Sequence, residues 1–289
     1  MSRRPFLVLA VMLALLGLTS CSALGVLNAL LPKDGSSRRA AENVAYGADP
    51  RQRLDVYVPN TGANHGVVVF VYGGSWNNGS RSDYGFVGRA FASRGFVTVI
   101  GDYRLVPEHP YPDFVRDCAK IVAWAQANAA RFNGNADRIF LVGHSAGAYN
   151  ALATALNPEF LQAEGVAPQT VKGVAGLAGP YDFLPLDDPA SIAAFGHLSP
   201  EDQRKSQPIH QVFADRYAPP AFLATGADDT TVRPRNTARL AKALESAGHR
   251  VESRIYPDLG HAGLVLALSR PLRGKAPVLD EIVAFFQRL

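Results

Sequence analysis

The run GVVVFVY at residues 66–72 constrains the fold more than any other segment. A continuous apolar run rich in β-branched residues is typical of a strand that is covered on both faces, as in a parallel sheet. Other segments of strand character alternate with helical segments, which predicts βαβ crossovers. The predicted strands span residues 54–58, 66–72, 96–100, 139–142, 171–177, 221–225 and 251–256, and the predicted helices span 84–94, 114–132, 145–156, 234–247 and 278–288. We therefore predict an α/β fold with a mostly parallel central sheet and helices on both faces. Residues 54–58 stop at Pro59, so we predict that this strand lies at an edge of the sheet.

The composition agrees with a folded chain of this class. Apolar residues make up 47% of the 289 residues and charged residues 19%, which excludes a disordered chain and an extended coiled coil because both need more charge. The 29 basic and 25 acidic residues are mixed, without the basic block that a nucleic-acid partner requires. Two cysteines exclude a disulfide framework and a four-cysteine zinc site. Cys118 lies on an apolar stripe with Val115 and Val122, which predicts a core residue.

The N-terminal residues have the pattern of an export signal. Arg3 and Arg4 precede an apolar stretch at residues 6–18, which is shorter than the about 20 residues of a membrane-spanning helix and fits a signal peptide. The stretch ends in LTSC at residues 18–21, which resembles the lipobox of bacterial lipoproteins. The resemblance implies a signal peptide at residues 1–20, a lipid on Cys21, and an exported protein anchored to a membrane of the bacterial cell envelope. The alternative is an ordinary secretory signal with Cys21 as an incidental thiol.

Two further segments complete the predicted organisation. Residues 21–40 are predicted to form a tether to the folded domain, which spans residues 41–289. Residues 179–219 interrupt the alternation of strands and helices, and an insertion of that length is usually functional or a small helical cap. We expect it to cover the active edge of the sheet and to present an apolar wall, from residues 183–184 and 192–195.

The sequence Gly143-His144-Ser145-Ala146-Gly147 carries the first chemical signal. It follows a predicted strand directly and precedes a predicted helix, which is the context that a nucleophile elbow requires. Such a turn lifts the serine hydroxyl above the sheet edge, near a helix N-terminus. We therefore predict that Ser145 is a nucleophile.

A serine nucleophile needs a base to accept its proton and a carboxylate to orient that base. Of the seven histidines, His261 follows the last predicted strand and closes the order serine, acid, histidine. Asp228 and Asp229 follow the preceding strand and compete for the role of the acid. All of these residues follow the carboxyl ends of strands, where open α/β sheets bind their ligands.

A third element stabilises the negative oxygen that develops during acyl transfer. Backbone N–H groups do this, and Ala146, directly after the nucleophile, is one expected donor. Gly73-Gly74-Ser75-Trp76 follows the strand at residues 66–72, and paired glycines let the backbone approach a substrate carbonyl. The alternative for this segment is a simple glycine turn.

Five segments together resemble the carboxylesterases of the α/β-hydrolase family, a group that includes hormone-sensitive-lipase-like and feruloyl-esterase-like enzymes. They are residues 73–76, 102–108 (DYRLVPE), 143–147, 226–232 and 260–261. The resemblance implies an α/β-hydrolase fold and a serine esterase that acts on a small-molecule ester through an acyl-enzyme, without a metal or other cofactor. It selects Asp229 as the acid, because the family's acid lies three residues after a glycine and three before a valine. It assigns the oxyanion donors to Gly74, Ser75 and Ala146.

The chain departs from the family pattern at two positions. Tyr72 stands where a histidine usually braces the oxyanion loop, and His144 stands where hormone-sensitive-lipase-like enzymes often have an aspartate. The second departure favours the feruloyl-esterase-like branch. We expect Trp76, His144 and Tyr181 to line the substrate pocket. An amidase such as an arylformamidase, a peptidase, and a non-catalytic binding protein on the same fold remain as alternatives.

Overall fold

The computed structural model describes residues 23–289, which form an eight-stranded sheet of order β1-β2-β4-β3-β5-β6-β7-β8. The strands are β1 (Ser37–Ala45), β2 (Arg53–Pro59), β3 (His65–Val71), β4 (Phe96–Gly101), β5 (Gly134–His144), β6 (Val171–Leu177), β7 (Ala221–Gly226) and β8 (Val251–Tyr256). β3 to β8 pair in parallel, whereas β1 and β2 are antiparallel to their neighbours. The predicted α/β-hydrolase fold with a mostly parallel sheet is confirmed.

Helices connect the strands and pack against the sheet. They are α1 (Ala23–Leu30), α2 (Gly85–Ser93), α3 (Asp113–Asn128), α4 (Ala146–Leu156), α5 (Pro158–Ala163), α6 (Pro189–Phe195), α7 (Pro200–Ser206), α8 (Arg235–Ser246), α9 (His261–Leu266) and α10 (Val278–Gln287). α10 illustrates how the sequence specifies this packing, because its apolar residues recur at helical spacing and are buried. Phe286 of this helix stacks on Phe140 of β5, with ring centroids 4.4 Å apart. Cys118 is fully buried, as predicted.

The predicted tether is partly wrong within the described residues. α1 lies in it, and β1 begins in it and forms the edge of the sheet. β2, predicted as the edge strand, is therefore the second strand. β1 escaped prediction because its sequence SRRAAENVA lacks an apolar alternation and its pairing with β2 has two register shifts. Its place is specified by backbone hydrogen bonds to β2, which leave little trace in the side chains.

The predicted signal peptide at residues 1–20 and the predicted lipidation site Cys21 lie outside the described residues. Between residues 23 and 289, no helix combines the length and the apolar character needed to cross a membrane.

The parallel strands bring the predicted functional residues to one edge. Val71 at the end of β3 is in register with Gly143 of β5, and Gly143 is in register with Gly176 of β6. β7 ends at Gly226 beside Tyr256 of β8. The loops that follow these five strand ends therefore meet above the sheet, as expected for the carboxyl edge of an α/β sheet.

Candidate active site

Ser145 occupies a strained turn between β5 and α4. Its backbone has φ 56° and ψ −128°, in the positive-φ region that costs a non-glycine residue about 1–3 kcal/mol. Its N–H donates to the carbonyl oxygen of Leu177 at the end of β6, at 2.8 Å. This hydrogen bond helps to offset the strain and holds the residue at the tip of the strand. α4 can begin at once only because Gly147 has no side chain: a Cβ there would lie 2.1 Å from the carbonyl oxygen of Val71.

The structure brings Ser145, His261 and Asp229 into one hydrogen-bonded chain. The distance from His261 Nε2 to Ser145 Oγ is 2.8 Å, and that from His261 Nδ1 to Asp229 Oδ2 is also 2.8 Å. The carboxylate fixes a proton on Nδ1, so that Nε2 has a lone pair facing the serine hydroxyl. The geometry therefore suits transfer of the Oγ proton to His261.

The structure also separates the two candidate acids. The side chain of Asp229 is fully buried, whereas Asp228 is exposed. Asp229 Oδ1 accepts backbone N–H groups of Thr231 at 3.0 Å and Val232 at 2.8 Å, while Oδ2 faces His261. Both carboxylate oxygens are thus satisfied without a cationic side chain, which leaves the negative charge available to the imidazole ring.

The loop after β3 approaches Ser145 from the opposite side. Gly74, Ser75 and Trp76 have φ of 127°, 50° and 59°, so the backbone follows a left-handed path that only Gly74 adopts without strain. A Cβ on Gly74 would also lie 2.3 Å from the carbonyl oxygen of Asn78. Three N–H groups, those of Gly74, Ser75 and Ala146, donate to no acceptor within residues 23–289. Ala146 adds the positive end of the α4 dipole, so the group can stabilise an oxyanion.

Tyr72, the residue that replaces the family's histidine, holds this loop from behind. Its hydroxyl donates to Asp102 Oδ1 at 2.8 Å and accepts a hydrogen bond from Arg51 Nη2 at 3.1 Å. Its carbonyl oxygen accepts the hydroxyl of Tyr103 at 3.1 Å. Burial raises the pKa of Tyr72 well above its usual range, so the phenol remains a donor. Tyr72 therefore supports the loop after β3 at the position where the family pattern has a histidine.

The same network reaches the far end of the loop. Asp102 accepts the backbone N–H of Arg81 at 2.6 Å and pairs with its guanidinium group. Arg51 donates to the carbonyl oxygen of Gly79 at 2.5 Å. Within residues 23–289, the Asp102 carboxylate bonds to Tyr72 and Arg81 and not to Ser145, so it supports the loop and takes no part in the hydrogen-bonded chain of the nucleophile. Sequence reasoning did not indicate Arg51 or Arg81, since neither belongs to a motif.

A cavity of about 620 Å³ lies above Ser145. Its lining combines the elbow and oxyanion loop with the insertion and the loop after β7: Ser75, Trp76, Ser145, Ala146, Pro180, Asp182, Phe183, Leu184, Pro185, Asp187, Asp188, Ala190, Ser191, Thr230, Thr231, Val232, Arg233, Arg235 and Asn236. The lining is thus partly apolar and partly charged. Of the apolar wall predicted from the insertion, Phe183 and Leu184 line the cavity, whereas Ile192 is 52% exposed and Phe195 is buried.

Of the three predicted pocket residues, only Trp76 lines this cavity. Trp76 packs edge-on against Tyr149 and Phe195 and donates from Nε1 to Asn150 Oδ1 at 3.0 Å. Tyr181, at the start of the insertion, is fully buried, and a Cβ on Gly176 would lie 2.1 Å from its hydroxyl oxygen. The prediction for Tyr181 failed because its position in the insertion gave no information about side-chain direction.

His144 lies behind the nucleophile and not in the cavity. Its Nε2 donates to the carbonyl oxygen of His261 at 3.1 Å, and its ring centroid lies 4.9 Å from that of His261. Burial, together with the nearby imidazole of His261, lowers the pKa of His144 from 6.5 to about 3. His144 is therefore neutral at physiological pH and positions the loop that carries His261. Across residues 23–289, no cluster of three or more His, Cys, Asp or Glu side chains could hold a metal ion.

Known proteins resemble this chain in sequence and in fold. It is 32% identical to the probable isoprenylcysteine alpha-carbonyl methylesterase ICMEL1 of Oryza sativa subsp. japonica, over 86% of this chain and 62% of that protein. It is 32% identical to the kynurenine formamidase of Salmo salar, over 77% of this chain and 75% of that protein. The crystal structure of esterase B from Lactobacillus rhamnosis matches with a TM-score of 0.78 at 22% identity, over 97% of this chain and 94% of that chain.

These matches differ in what they cover. The chain spans less than two thirds of the length of the rice protein, and the likeness to esterase B concerns the fold. The family match is to BD-FAE and extends over residues 54–244, which include Ser145, Asp229 and the oxyanion loop. The chain therefore belongs to the BD-FAE family of α/β-hydrolase esterases.

Proposed function

We propose that this protein hydrolyses carboxylic esters of small molecules through a covalent acyl-enzyme. One observation carries the proposal: the 2.8 Å contacts that join Asp229, His261 and Ser145, with Ser145 at the floor of an open cavity. The esterase relatives support it, since the rice protein bears the name of a methylesterase.

In the first half-reaction, Ser145 Oγ attacks the ester carbonyl carbon while His261 Nε2 takes the hydroxyl proton. Asp229 holds the imidazolium that forms, because its buried carboxylate lies 2.8 Å from Nδ1. The carbonyl oxygen becomes an oxyanion between the N–H groups of Gly74, Ser75 and Ala146. Each such donor lowers the barrier by roughly 3–4 kcal/mol. His261 then gives its proton to the leaving alcohol, and the acyl group stays on Ser145.

In the second half-reaction, water replaces the alcohol. His261 Nε2 accepts a proton from this water, whose oxygen attacks the acyl carbon, and the same N–H groups stabilise the second oxyanion. When the intermediate collapses, the proton returns to Ser145 Oγ and the carboxylic acid leaves. The chain's own residues perform every proton transfer in this sequence.

The test uses p-nitrophenyl acetate and butyrate together with a fluorophosphonate probe. Ser145→Ala is expected to remove both turnover and covalent labelling. Thr230→Ala is a matched control, because it removes another hydroxyl from the lining of the same cavity. Labelling that persists in the Ser145 variant would overturn the assignment of the nucleophile. A folded wild-type protein that neither labels nor turns over would favour a binding protein.

A second candidate, hydrolysis of an N-formyl amide, is supported by the kynurenine formamidase relative. The same three residues could cleave either bond, since both reactions pass through a tetrahedral oxyanion. The comparison is kcat/KM for an aryl formate ester against the matching formanilide. A formanilide turned over as well as the ester would make formamide hydrolysis the principal activity.

We also propose that Cys21 carries a lipid that anchors the protein in the bacterial cell envelope. The supporting observation is the sequence: two arginines, an apolar stretch, and LTSC at residues 18–21. The test is detergent phase partition after expression of the full chain in a bacterial host. Wild type is expected in the detergent phase with a lipid-shifted N-terminal peptide by mass spectrometry. An unmodified Cys21 in the exported protein contradicts the proposal.

A further inference from the structure

A second cavity of about 380 Å³ lies between α1, the edge of the sheet and the start of α2. It shares no lining residue with the cavity above Ser145. Its lining consists of Asn28, Ala29, Lys33, Arg39, Tyr57, Ser82, Gly85 and Arg89. Three of these side chains are cationic and none is acidic.

The three cations differ in their partners. Arg39 pairs with Glu42 at 2.8 Å and lies 3.7 Å from Asp55. Within residues 23–289, Lys33 Nζ donates to the backbone oxygen and to Oδ1 of Asn28, and neither Lys33 nor Arg89 forms an ion pair. Arg89 Nε is buried and has no hydrogen-bond acceptor in the same part of the chain. Burial lowers the pKa of Lys33, and the positive charge of Arg89 adds to the effect.

Two neighbouring cations and a buried N–H without an acceptor destabilise the fold unless a bound anion neutralises the charges and accepts the hydrogen bond. A buried donor without an acceptor costs about 1–3 kcal/mol, and two neighbouring positive charges repel each other. The neutral surroundings add donors, since Ser82 and Tyr57 contribute hydroxyl groups to the lining. Gly85, the first residue of the nine-residue α2, also lines the cavity; because Asn28 Oδ1 accepts the N–H of Phe86 at 2.9 Å, this helix adds the positive end of its dipole and not that donor.

We propose that this cavity binds a phosphate group, either as the free anion or as the headgroup of an anionic phospholipid. The fork of an arginine matches phosphate geometry and a lysine adds a point charge, so Arg89 and Lys33 supply complementary halves of such a site. Its volume of about 380 Å³ accommodates a phosphate group with part of its substituent. The proposal is independent of the esterase activity.

The position of the cavity makes the lipid source chemically reasonable. α1 forms one wall and begins at Ala23, two residues after the proposed lipid-bearing Cys21. The same helix exposes Leu30 by 77% and Val26 by 36%, an apolar contribution beside the cations. A chain anchored through Cys21 would hold this cavity at the level of the headgroups, where each cation contributes about 1 kcal/mol to binding anionic lipid.

The experiment has two arms and uses the mature protein, purified after the full chain is expressed and processed in a bacterial host. In the first arm, inorganic phosphate is titrated by calorimetry in detergent at constant ionic strength. In the second, the protein is reconstituted in vesicles of phosphatidylcholine with or without phosphatidylglycerol. Amide hydrogen exchange is then measured for residues 24–33 and 82–90. Protection only with phosphatidylglycerol identifies the lipid headgroup, whereas saturable binding of phosphate without that protection identifies the free anion.

The variants distinguish phosphate binding in this cavity from nonspecific attraction to the positive charges of the protein. Lys33→Gln combined with Arg89→Gln is expected to weaken phosphate binding about a hundredfold or more, since each lost charged hydrogen bond costs about tenfold or more. Lys242→Gln, an exposed lysine on α8, is the matched control and is expected to bind as wild type does. Arg89→Lys keeps the charge and provides a conservative variant if the double variant folds poorly. Absence of both phosphate binding and protection in wild type, or equal binding by the double variant, would overturn the proposal.

Discussion

The two sides of Ser145 are held in place by different means. On one side, the His261 side chain bonds directly to Ser145 through Nε2 and to Asp229 through Nδ1. On the other, the N–H groups of the loop after β3 come from the backbone, and Tyr72 holds that loop through contacts behind it. The geometry of the first side depends on three side chains, whereas the positions of the donors on the second side depend on the backbone path of the loop after β3.

This difference determines how each side can fail. A change in the hydrogen-bonded chain alters the chemistry of one atom and leaves the backbone in place. A change behind the oxyanion loop moves several donors by a small distance and leaves every reacting side chain intact. Substitutions on the two sides are therefore expected to differ in size and in their effect on stability.

Asp229→Asn is expected to have the largest effect, about 10⁴ in kcat. Two backbone N–H groups occupy Oδ1 of Asp229, so an asparagine would keep its oxygen there and turn its NH₂ group towards His261 Nδ1. His261 would then carry its proton on Nε2 and could not accept one from Ser145. The measurement is kcat for p-nitrophenyl butyrate, with exposed Asp228→Asn as the matched control. A similar loss in both variants would contradict the assignment of Asp229.

Gly147→Ala tests how far the two sides depend on each other. The added methyl group would lie 2.1 Å from the Val71 oxygen and 2.3 Å from the Tyr72 oxygen, so the end of β3 must move away from α4. Because one lost oxyanion donor costs about 10²–10³ in kcat, we expect a loss of about a hundredfold together with a lower Tm. Gly274→Ala, where a methyl group meets nothing within 4 Å, should change neither quantity. Full activity of the Gly147 variant would show that the oxyanion loop tolerates displacement.

Tyr72→Phe tests the brace alone. The variant keeps the stacked ring but removes the hydroxyl between Asp102 and Arg51, so the loop loses one support while Ser145 keeps its partners. We expect kcat to fall about tenfold with little change in KM, less than the about hundredfold cost of a 1 Å misplacement. Tyr217→Phe removes a hydroxyl bonded to Val171, on β6, and is the control for stability. A fall in Tm of equal size in both variants, with kcat unchanged in the Tyr72 variant, would show that Tyr72 contributes to stability and not to the position of the oxyanion donors.

The same difference explains what the sequence could predict. The parallel strands were readable because most of them contain an apolar run rich in β-branched residues, and Ser145 and His261 because each follows a predicted strand. Asp229 could be distinguished from Asp228 only through the family resemblance, since burial and backbone partners decide between them. Tyr72, Arg51 and Arg81 belong to no spacing pattern and meet only in the folded chain. β1 was missed for the same reason, because backbone pairing specifies it.

His144 contacts both sides, and its replacement is expected to have the smallest effect, visible as a function of pH. Its Nε2 bonds to the His261 oxygen, and its Nδ1 lies 3.4 Å from where a Cβ of Gly73 would be. Because the pKa is lowered to about 3 in the folded state, the unfolded chain binds a proton first as the pH falls. The stability that the neutral ring provides is complete above about pH 6.5 and is lost progressively towards pH 3.

His144→Gln keeps a donor for the His261 oxygen but cannot titrate. We therefore expect kcat near that of wild type at pH 7, and a free energy of unfolding that depends less on pH. Between pH 6 and pH 4 the wild type should lose up to about 1.4 kcal/mol per pH unit relative to the variant. The measurement is denaturant unfolding at pH 7, 6, 5 and 4. Parallel curves would mean that His144 is already accessible to protons in the folded state, and that the contact between the two sides is looser than the hydrogen bond to His261 indicates.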